Sequence, residues 1–170
     1  MNNDTNENVI YREIQRFRQI WIWCLIGLLA VIGWYSFIQQ IVFGKPFGTN
    51  PAPDIVMWIT WIAIGIGIPL LFYSVKLTVE VRNDGIHIRF FPLYSRIILF
   101  NNVNSYEVTK YRPLSDYGGW GIRWSSEKGW AYNVSGNLGV ELELSNGKRL
   151  LIGSQDPKKL VQMIRKAHKI

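Results

Sequence analysis

Two long apolar stretches dominate the first half of the chain. Residues 20–43 and residues 55–75 contain no charged side chain. As α-helices they would be about 36 Å and about 32 Å long at a rise of about 1.5 Å per residue, and both lengths match a bilayer hydrocarbon core of about 30 Å. Because a buried helix of a soluble protein is seldom apolar on every face over such a length, the pattern predicts two transmembrane helices. The connecting residues 44–54 are rich in glycine and proline and predict a short turn between antiparallel helices.

A cleaved signal peptide is the alternative interpretation of the first apolar stretch. It is disfavoured because the stretch is too long for a signal peptide, begins near residue 20 and has no clear Ala-x-Ala cleavage site. The second stretch adds further support for two membrane crossings.

Small residues and one proline bear on how the two helices would pack. Pro69 removes one backbone hydrogen bond from the second helix. Small side chains let helix backbones approach closely. They occur in both helices, at Gly27, Ala30, Gly33, Ala63 and Gly67.

After residue 75 the hydrophobic pattern changes to a period of two, which is typical of half-buried β-strands. In residues 75–82, valine and leucine alternate with polar side chains. Asn83-Asp84-Gly85 predicts a hairpin turn, because these residues tolerate positive φ. The pattern as a whole predicts about seven or eight antiparallel strands. They fall near residues 75–82, 86–90, 95–100, 105–111, 120–124, 130–134, 138–144 and 148–152.

The last element is predicted to be a helix. Asp156 can cap its N-terminus, and Pro157 fits the first helical turn, where no amide donor is needed. Leu160, Ile164 and Ala167 follow helical spacing and form an apolar stripe. The second half of the chain is therefore predicted to be an antiparallel β-domain followed by one helix.

Three segments carry a resemblance to a known group of proteins: YRPLSDYGGWGIRW at residues 111–124, AYNVSGNLGVELEL at residues 131–144 and KRLLIGSQDPKKL at residues 148–160. The strand that runs into Ser-Gln-Asp-Pro and a helix is the most specific feature. The chain resembles small prokaryotic membrane proteins that carry a bacterial pleckstrin-homology-like (PH-like) domain after a two-helix anchor. The resemblance implies a bent barrel or sandwich with a helix at one end, and it implies no catalytic residues because such families are largely uncharacterised.

These features together predict an α+β membrane protein with three parts. A cytoplasmic N-terminal segment would cover residues 1–19, and a transmembrane helical hairpin would cover residues 20–75. A cytoplasmic PH-like domain, an antiparallel β-barrel or sandwich with a C-terminal helix, would cover residues 76–170.

The charge distribution predicts the orientation of this arrangement. The whole net charge of +7 lies after residue 75, where fifteen Lys and Arg stand against eight Asp and Glu. Arg12, Arg16 and Arg18 precede the first apolar stretch, whereas the loop between the stretches carries only Lys45 and Asp54. By the positive-inside rule both termini lie in the cytoplasm. We therefore expect a multi-pass protein of the inner or plasma membrane.

Aromatic and basic side chains are concentrated in residues 111–136, which form the first candidate binding site. Such side chains dominate the energetics of interfaces, and this favours a surface for a protein partner, a peptide or a lipid headgroup. The candidate residues are Tyr111, Arg112, Tyr117, Trp120, Arg123 and Trp124. Alternatively, every second aromatic side chain fills the domain core, and Gly118, Gly119 and Gly121 form a bulge or sharp bend.

The predicted C-terminal helix is the second candidate site. Its basic residues could contact anionic lipid, since each cation near such a surface contributes about 1 kcal/mol. These residues are Lys158, Lys159, Arg165, Lys166 and Lys169. Alternatively, they form a solvated helix face whose cations complement the partial negative charge of the helix C-terminus.

Other function classes find less support in the sequence. Cys24, the only cysteine, is far along the chain from the two histidines, His87 and His168, so neither a zinc site nor any other cofactor is expected. No recognition motif for nucleic acid occurs. The carboxylates are scattered, which argues against an enzyme.

The sequence therefore predicts a noncatalytic, membrane-anchored module. We expect it to bind or scaffold a protein partner at the cytoplasmic face of the membrane, and the partner could be a further copy of the chain, through the helices or the domain. An anionic-lipid sensor is the alternative, and a membrane-associated enzyme is a third possibility.

Overall fold

The computed structural model describes residues 9–169 and divides them into two compact units. The first, here the helical unit, is Arg18–Ser74. The second, here the strand unit, combines residues 9–17 with residues 75–169. The helical unit is thus inserted into the sequence of the strand unit. This differs from the expected division, in which residues 1–19 stand apart from the β-domain.

The helical unit contains the two predicted apolar helices, Ile20–Val42 and Asp54–Ser74. Both are long and apolar enough to cross a membrane. The first includes a π-helical segment at Ile38–Val42 and the second one at Trp61–Gly67. Only 22% of the most apolar stretch of the first helix and 11% of that of the second are buried. Most of this apolar surface is therefore not covered by other parts of the chain.

The two helices contact each other at a pair of glycines. A Cβ atom on Gly33 would lie 3.5 Å from the Gly65 backbone nitrogen, whereas one on Gly27 would have no neighbour within 4 Å. Aromatic rings surround this contact: Trp61 meets the Trp34 ring edge to face at 5.0 Å between centroids and stacks on Phe37 at 4.4 Å. Gly33 therefore serves the predicted close approach, with Gly65 as its partner on the second helix.

Pro69 explains one hydrogen bond between the helices. A proline has no amide hydrogen, so the carbonyl of Gly65, four residues earlier, lacks its ordinary α-helical donor. The indole Nε1 of Trp34 donates to this carbonyl at 3.3 Å. This hydrogen bond joins the first apolar helix to the second.

The first sheet of the strand unit, sheet A, has four antiparallel strands in the order β1-β2-β3-β4. They are β1 (Val9–Arg16), β2 (Lys76–Arg82), β3 (Gly85–Phe91) and β4 (Tyr94–Leu99). Strands β2, β3 and β4 match the predicted alternation. Strand β1 was not predicted, and its partner in the sheet lies beyond both apolar helices.

Strand β1 escapes pattern analysis because its inward side chains are polar. Gln15 is 1% exposed, whereas Ile14, on the opposite face, is 51% exposed. Glu13 points inward with Gln15, since side chains two residues apart share a face. The ordinary rule of apolar side chains inside and polar ones outside is therefore reversed at residues 13–15, although Ile10 and Tyr11 of the same strand pack against the core.

The second sheet, sheet B, has the strand order β5-β8-β9-β7-β6. Its strands are β5 (Val103–Lys110), β6 (Gly121–Ser125), β7 (Gly129–Asn133), β8 (Leu138–Leu144) and β9 (Arg149–Gly153). All pairs are antiparallel except β7 with β9, which is parallel. The two sheets are separate across the described residues, so the barrel alternative is wrong, and the parallel pair was not predicted.

The hairpin at Asn83-Asp84-Gly85 forms, but not for the predicted reason. Within residues 9–169 no residue other than glycine has positive φ, and Gly85 is not among the positive-φ glycines. Instead, a Cβ atom on Gly85 would collide with the carbonyl oxygen of Ile98 on β4. Glycine is needed here for close strand approach rather than for turn conformation.

The main core lies between the two sheets and the C-terminal helix, Pro157–Ala167. Asp156 caps this helix by accepting a hydrogen bond from the Lys159 amide at 3.1 Å, as predicted. The helix buries its apolar stripe in the core, while every second residue of the central strands does the same from the sheets. The core members include Leu77, Val79, Ile86, Ile88, Val140, Leu142, Leu150, Ile152, Leu160 and Ile164.

We predict that the strand unit folds without the helical unit if β1 is kept. Arg16 and Lys76 are direct partners in the antiparallel ladder, so Phe17 and Val75 can be joined by Asn-Gly, which favours a two-residue hairpin turn. Residues 1–17 joined in this way to residues 75–170 should give a soluble protein with a cooperative urea transition, measured by circular dichroism.

The matched control is residues 75–170 alone. This fragment lacks Ile10, Tyr11 and Phe17, which pack against the core. Each apolar side chain contributes up to about 2 kcal/mol when buried, and a domain has only about 5–15 kcal/mol in total. We expect the fragment not to fold cooperatively; an unchanged urea midpoint would show that β1 is not part of the unit.

A second prediction concerns the bond from Trp34 to Gly65. Trp34→Phe should lower the free energy of unfolding of the helical unit by about 0.6–1.7 kcal/mol, the range for such bonds between membrane helices. Trp61→Phe is the control, because the Trp61 ring nitrogen is buried without a hydrogen-bond partner among the described residues. Reversible unfolding in lipid bicelles measures both; equal losses would contradict the assignment.

Candidate functional site

Hydrogen bonds join β1 to the segment between β9 and the C-terminal helix. Glu13 accepts a hydrogen bond from the Ser154 hydroxyl through Oε2 and one from the Gln155 amide through Oε1, both at 2.7 Å. Gln15 donates through Nε2 to the Gly153 carbonyl, also at 2.7 Å. The Ser-Gln-Asp-Pro sequence thus receives the N-terminal strand as well as starting the helix, a role that no sequence pattern had indicated.

Tyr11 completes this contact on the inner face of β1. Its hydroxyl donates to Glu13 Oε2 at 3.2 Å, and Lys159 Nζ lies 5.8 Å from the centre of its ring. Burial, together with the negative charge of Glu13, raises the pKa of Tyr11 well above its ordinary value. Tyr11 therefore stays neutral at physiological pH and acts as a packing and hydrogen-bonding group.

Two of the six residues of the predicted aromatic site, Tyr111 and Tyr117, form a small second core. They pack with Ala131 and Leu151, and the two tyrosine rings meet edge to face at 6.1 Å between centroids. Burial raises the pKa of each tyrosine to about 12. These two residues therefore fit the alternative in which aromatic side chains fill a core.

A short helix, Pro113–Tyr117, follows β5 and brings Tyr117 into this second core. Asp116 accepts a hydrogen bond from the Arg112 amide at 2.9 Å and pairs with Lys128 Nζ at 2.9 Å. The Arg112 amide, followed by Lys128, holds the pKa of the Asp116 carboxyl below its ordinary range. Gly118 ends the helix with a φ of 69°, which is the left-handed conformation that favours glycine.

Trp120 and Arg123, two further predicted site residues, make local bonds. The Trp120 ring nitrogen donates to the Gly136 carbonyl at 3.0 Å, and Arg123 Nε donates to the Trp120 carbonyl, also at 3.0 Å. Gly119 and Gly121, on either side of Trp120 in the sequence, have φ of 127° and 118° and form a bend there. These side chains therefore stabilise the bend, although Arg123 remains exposed.

An exposed pair of tryptophans is the part of this segment that suits a partner. Trp124 on β6 and Trp130 on β7 are direct cross-strand partners and are 60% and 41% exposed. We call them the tryptophan pair. Trp130 was not among the predicted site residues, but the register of the hairpin around the Ser125–Gly129 turn would have pointed to it.

The outer face of sheet A carries a group of basic side chains that pattern analysis did not bring together. Glu80 lies among them and accepts from Arg12 Nε at 2.8 Å and from Arg82. Burial acts to raise the pKa of Glu80, but the hydrogen bond from Arg82 and the charges of both arginines outweigh it, so this pKa lies below its ordinary range. The carboxylate thus offsets part of the charge on this face, through its ion pairs with Arg12 and Arg82.

At one end of sheet A, three strands bring Arg16, Lys76 and Phe91 side by side. Arg16 pairs with Lys76, and Lys76 pairs with Phe91. The Phe91 ring lies 5.6 Å from Lys76 Nζ and 5.6 Å from the guanidinium of Arg89. We call this the attachment end, because the chain enters the first apolar helix soon after Arg16 and leaves the second just before Lys76.

The basic residues of the C-terminal helix are all exposed, namely Lys158, Lys159, Arg165, Lys166 and Lys169. The end of this helix lies by the opposite end of sheet A, since His168 stacks on Phe100, whose amide bonds to the Asp84 carbonyl. The two ends of β2, six residues apart, are about 20 Å from each other. Because this exceeds two Debye lengths of about 8 Å each, charges at the end of the helix act only weakly on the attachment end. Lipid contact through this helix stays a prediction.

Comparison with known proteins gives one match. The model of a family of unknown function, DUF6141, matches residues 2–169. The chain belongs to this family. No curated protein and no solved structure matches the chain. The DUF6141 match covers β1, both apolar helices and the strand unit. One family model thus includes the helices together with the strands on either side of them, rather than a β-domain to which an anchor has been added.

The family supplies no catalytic residues to transfer to this DUF6141 chain. Across residues 9–169, no three His, Cys, Asp or Glu side chains are grouped in a way that could hold a metal ion. The tryptophan pair is exposed and aromatic, whereas the attachment end combines cations with an exposed ring.

Proposed function

We propose that this chain is a noncatalytic, membrane-anchored module with a PH-like domain, which binds a protein partner at the cytoplasmic face of an inner or plasma membrane. The exposed tryptophan pair is the observation that carries the binding part of this proposal. The apolar surface of the two helices carries the membrane part.

The pairing of β1 with β2 supports a two-pass topology. Arg16 and Lys76 are neighbours in one sheet, so both must lie on the same side of a membrane. The helices between them then cross an even number of times, which suits two crossings. The excess of positive charge around β1 and after β2 favours the cytoplasm for that side.

Two packed sheets with a C-terminal helix in the core support the PH-like assignment. The buried face of the helix, with Leu160 and Ile164, fills the space between the sheets. The helical unit enters after the first strand, so the domain is continuous in space but not in sequence.

The tryptophan pair supports protein binding for two reasons. Tryptophan is enriched at binding hot spots, because a large flat ring removes much apolar surface from water on contact. The pair also lies at the margin of sheet B, since β6 is the outermost strand there. A partner could thus cover Trp124 and Trp130 without disturbing the main core.

Reporter fusions test the topology. A reporter in residues 44–54 should be active only on the outer side of the membrane, and a reporter after residue 170 only in the cytoplasm. If both reporters report the same side, the two-pass anchor is wrong, and an extracytoplasmic C-terminus would overturn the orientation.

Site-directed photocrosslinking in native membranes tests the binding surface. A photoreactive phenylalanine analogue at Trp124 should give a discrete adduct, which mass spectrometry can identify as another protein or as a second copy of the chain. Leu114, which is 67% exposed on the short helix, is the control position and should give no such adduct.

The identified partner should then bind the purified wild-type chain and lose at least about tenfold in affinity with Trp124→Ala and Trp130→Ala combined, because hot-spot residues each contribute about 2 kcal/mol or more. Leu114→Ala should leave this affinity unchanged. Equal affinity for the wild-type chain and the double variant would remove the tryptophan pair from the binding surface.

Recognition of anionic lipid is a second candidate function. It is favoured by the cations at the attachment end, Arg16, Lys76 and Arg89. Arg16 and Lys76 lie close along the chain to the apolar helices, and Arg89 is near Lys76 because both contact the Phe91 ring. The same end also carries an apolar turn, residues 91–94.

A further inference from the structure

We propose that the turn between β3 and β4, residues 91–94, inserts into the headgroup region of the bilayer and so fixes the strand unit on the membrane surface. This inference rests on the membrane anchor of the proposed function. It does not depend on a protein partner at the tryptophan pair.

The register of sheet A places this turn at the attachment end. Phe91 pairs with Lys76, and Phe90 pairs with Tyr94 across the hairpin. The turn is closed by the Leu93 amide, which donates to the Phe90 carbonyl at 2.8 Å. The turn therefore lies beside the first residue of β2 and not at the end near Asp84.

Chain length keeps this end close to the apolar helices. Ser74 is the last residue of the second helix and Lys76 the first of β2, so only Val75 lies between them, and the two Cα atoms are at most about 7 Å apart. Ile20 follows Arg16 by four residues, which span at most about 14 Å. Wherever the helices meet the membrane surface, Lys76 and its neighbour Phe91 lie within reach of it.

The side chains of the turn match an interfacial environment. Leu93 is 62% exposed, Tyr94 42% and Phe91 38%. Aromatic rings favour the boundary between headgroups and acyl chains, and a small apolar group bordered by cations binds at that depth. Lys76 and Arg89, each 5.6 Å from the centre of the Phe91 ring, supply the cations.

The turn is held firmly enough to act as a fixed point. The Tyr94 ring stacks on Tyr132 of sheet B at 5.8 Å between centroids, with the planes 10° apart. Phe91 contacts its two cations. Leu93 thus projects from a supported turn, which favours insertion at one defined depth over a loose contact.

Lipid is a better occupant of this surface than a protein. The turn adjoins Arg16 and Lys76, the ends of the strands that connect to the apolar helices. If the helices lie in a bilayer, lipid is therefore the apolar environment nearest to the turn. The tryptophan pair lies on the other sheet and has no such connection to the helices. The flanking cations suit the negative surface of a bilayer that contains anionic lipids.

The test uses the full chain in vesicles made only of lipid. The native Cys24, exposed in the first apolar helix, is changed to Ser, and Leu93→Cys is labelled with an environment-sensitive nitrobenzoxadiazole dye. Leu114→Cys is the matched control, because Leu114 is 67% exposed where Leu93 is 62%. The vesicles contain phosphatidylcholine with phosphatidylglycerol, with and without phospholipid spin-labelled near the headgroup.

We expect dye at position 93 to show blue-shifted emission, to lose intensity with the spin-labelled lipid and to resist aqueous iodide. Dye at position 114 should show the opposite behaviour. If dye at position 93 responds to iodide and to spin-labelled lipid as dye at position 114 does, the proposal is overturned.

A third label separates this outcome from failure of the anchor. Dye on Cys24 of the otherwise unchanged chain should be quenched by spin-labelled lipid if the helices span the bilayer. Quenching at position 24 without quenching at position 93 refutes only the insertion of the turn. An absence of quenching at position 24 refutes the membrane anchor, and the insertion with it.

The contribution of the cations has its own control. Lys76→Gln with Arg89→Gln should lower the quenching at position 93 in vesicles with phosphatidylglycerol. Lys166→Gln with Lys169→Gln removes the same charge from the far end of the strand unit and should leave it unchanged. Equal losses in both double variants would refute the role given to Lys76 and Arg89.

Discussion

The pairing of β1 with β2 is the constraint on which the rest of the structure depends. It makes one sheet from two segments that lie on either side of the helical unit, and it brings Arg16 and Lys76 next to each other. Both chain connections to the apolar helices therefore leave one end of one sheet. The attachment end follows from this pair of strands, and the register of β3 with β2 then places the β3–β4 turn at the same end.

Much of the strand unit could be predicted from the alternation of apolar and polar side chains. That pattern identifies a strand whenever the buried face is apolar, as in β2, where Leu77, Val79 and Val81 are fully buried. It fails for β1, whose inward Glu13 and Gln15 are polar and form hydrogen bonds with residues 153–155. Nor does the pattern contain strand order, so the lack of barrel closure and the parallel pairing of β7 with β9 depend on tertiary contacts.

The candidate sites were only partly predictable, because composition shows which residue types are concentrated but not which way they face. Tyr111 and Tyr117 are in a core, while Trp124 belongs to an exposed pair with Trp130. Lys76 lies on a different strand from Arg89 and Phe91, and only the strand register makes it their neighbour. A residue list drawn from one segment could not assemble that surface.

The polar inner face of β1 has a consequence for synthesis of the protein. This strand leaves the ribosome first, and its partner follows only after both apolar helices have been made, a delay of roughly 3–12 s at about 5–20 residues per second. An unpaired strand with an apolar face would invite aggregation during that interval. With Glu13 and Gln15 among the side chains that will be buried, unpaired β1 exposes less apolar surface to water than a strand with a fully apolar inner face. The feature that conceals β1 from pattern analysis thus suits a strand that must remain soluble until its partner exists.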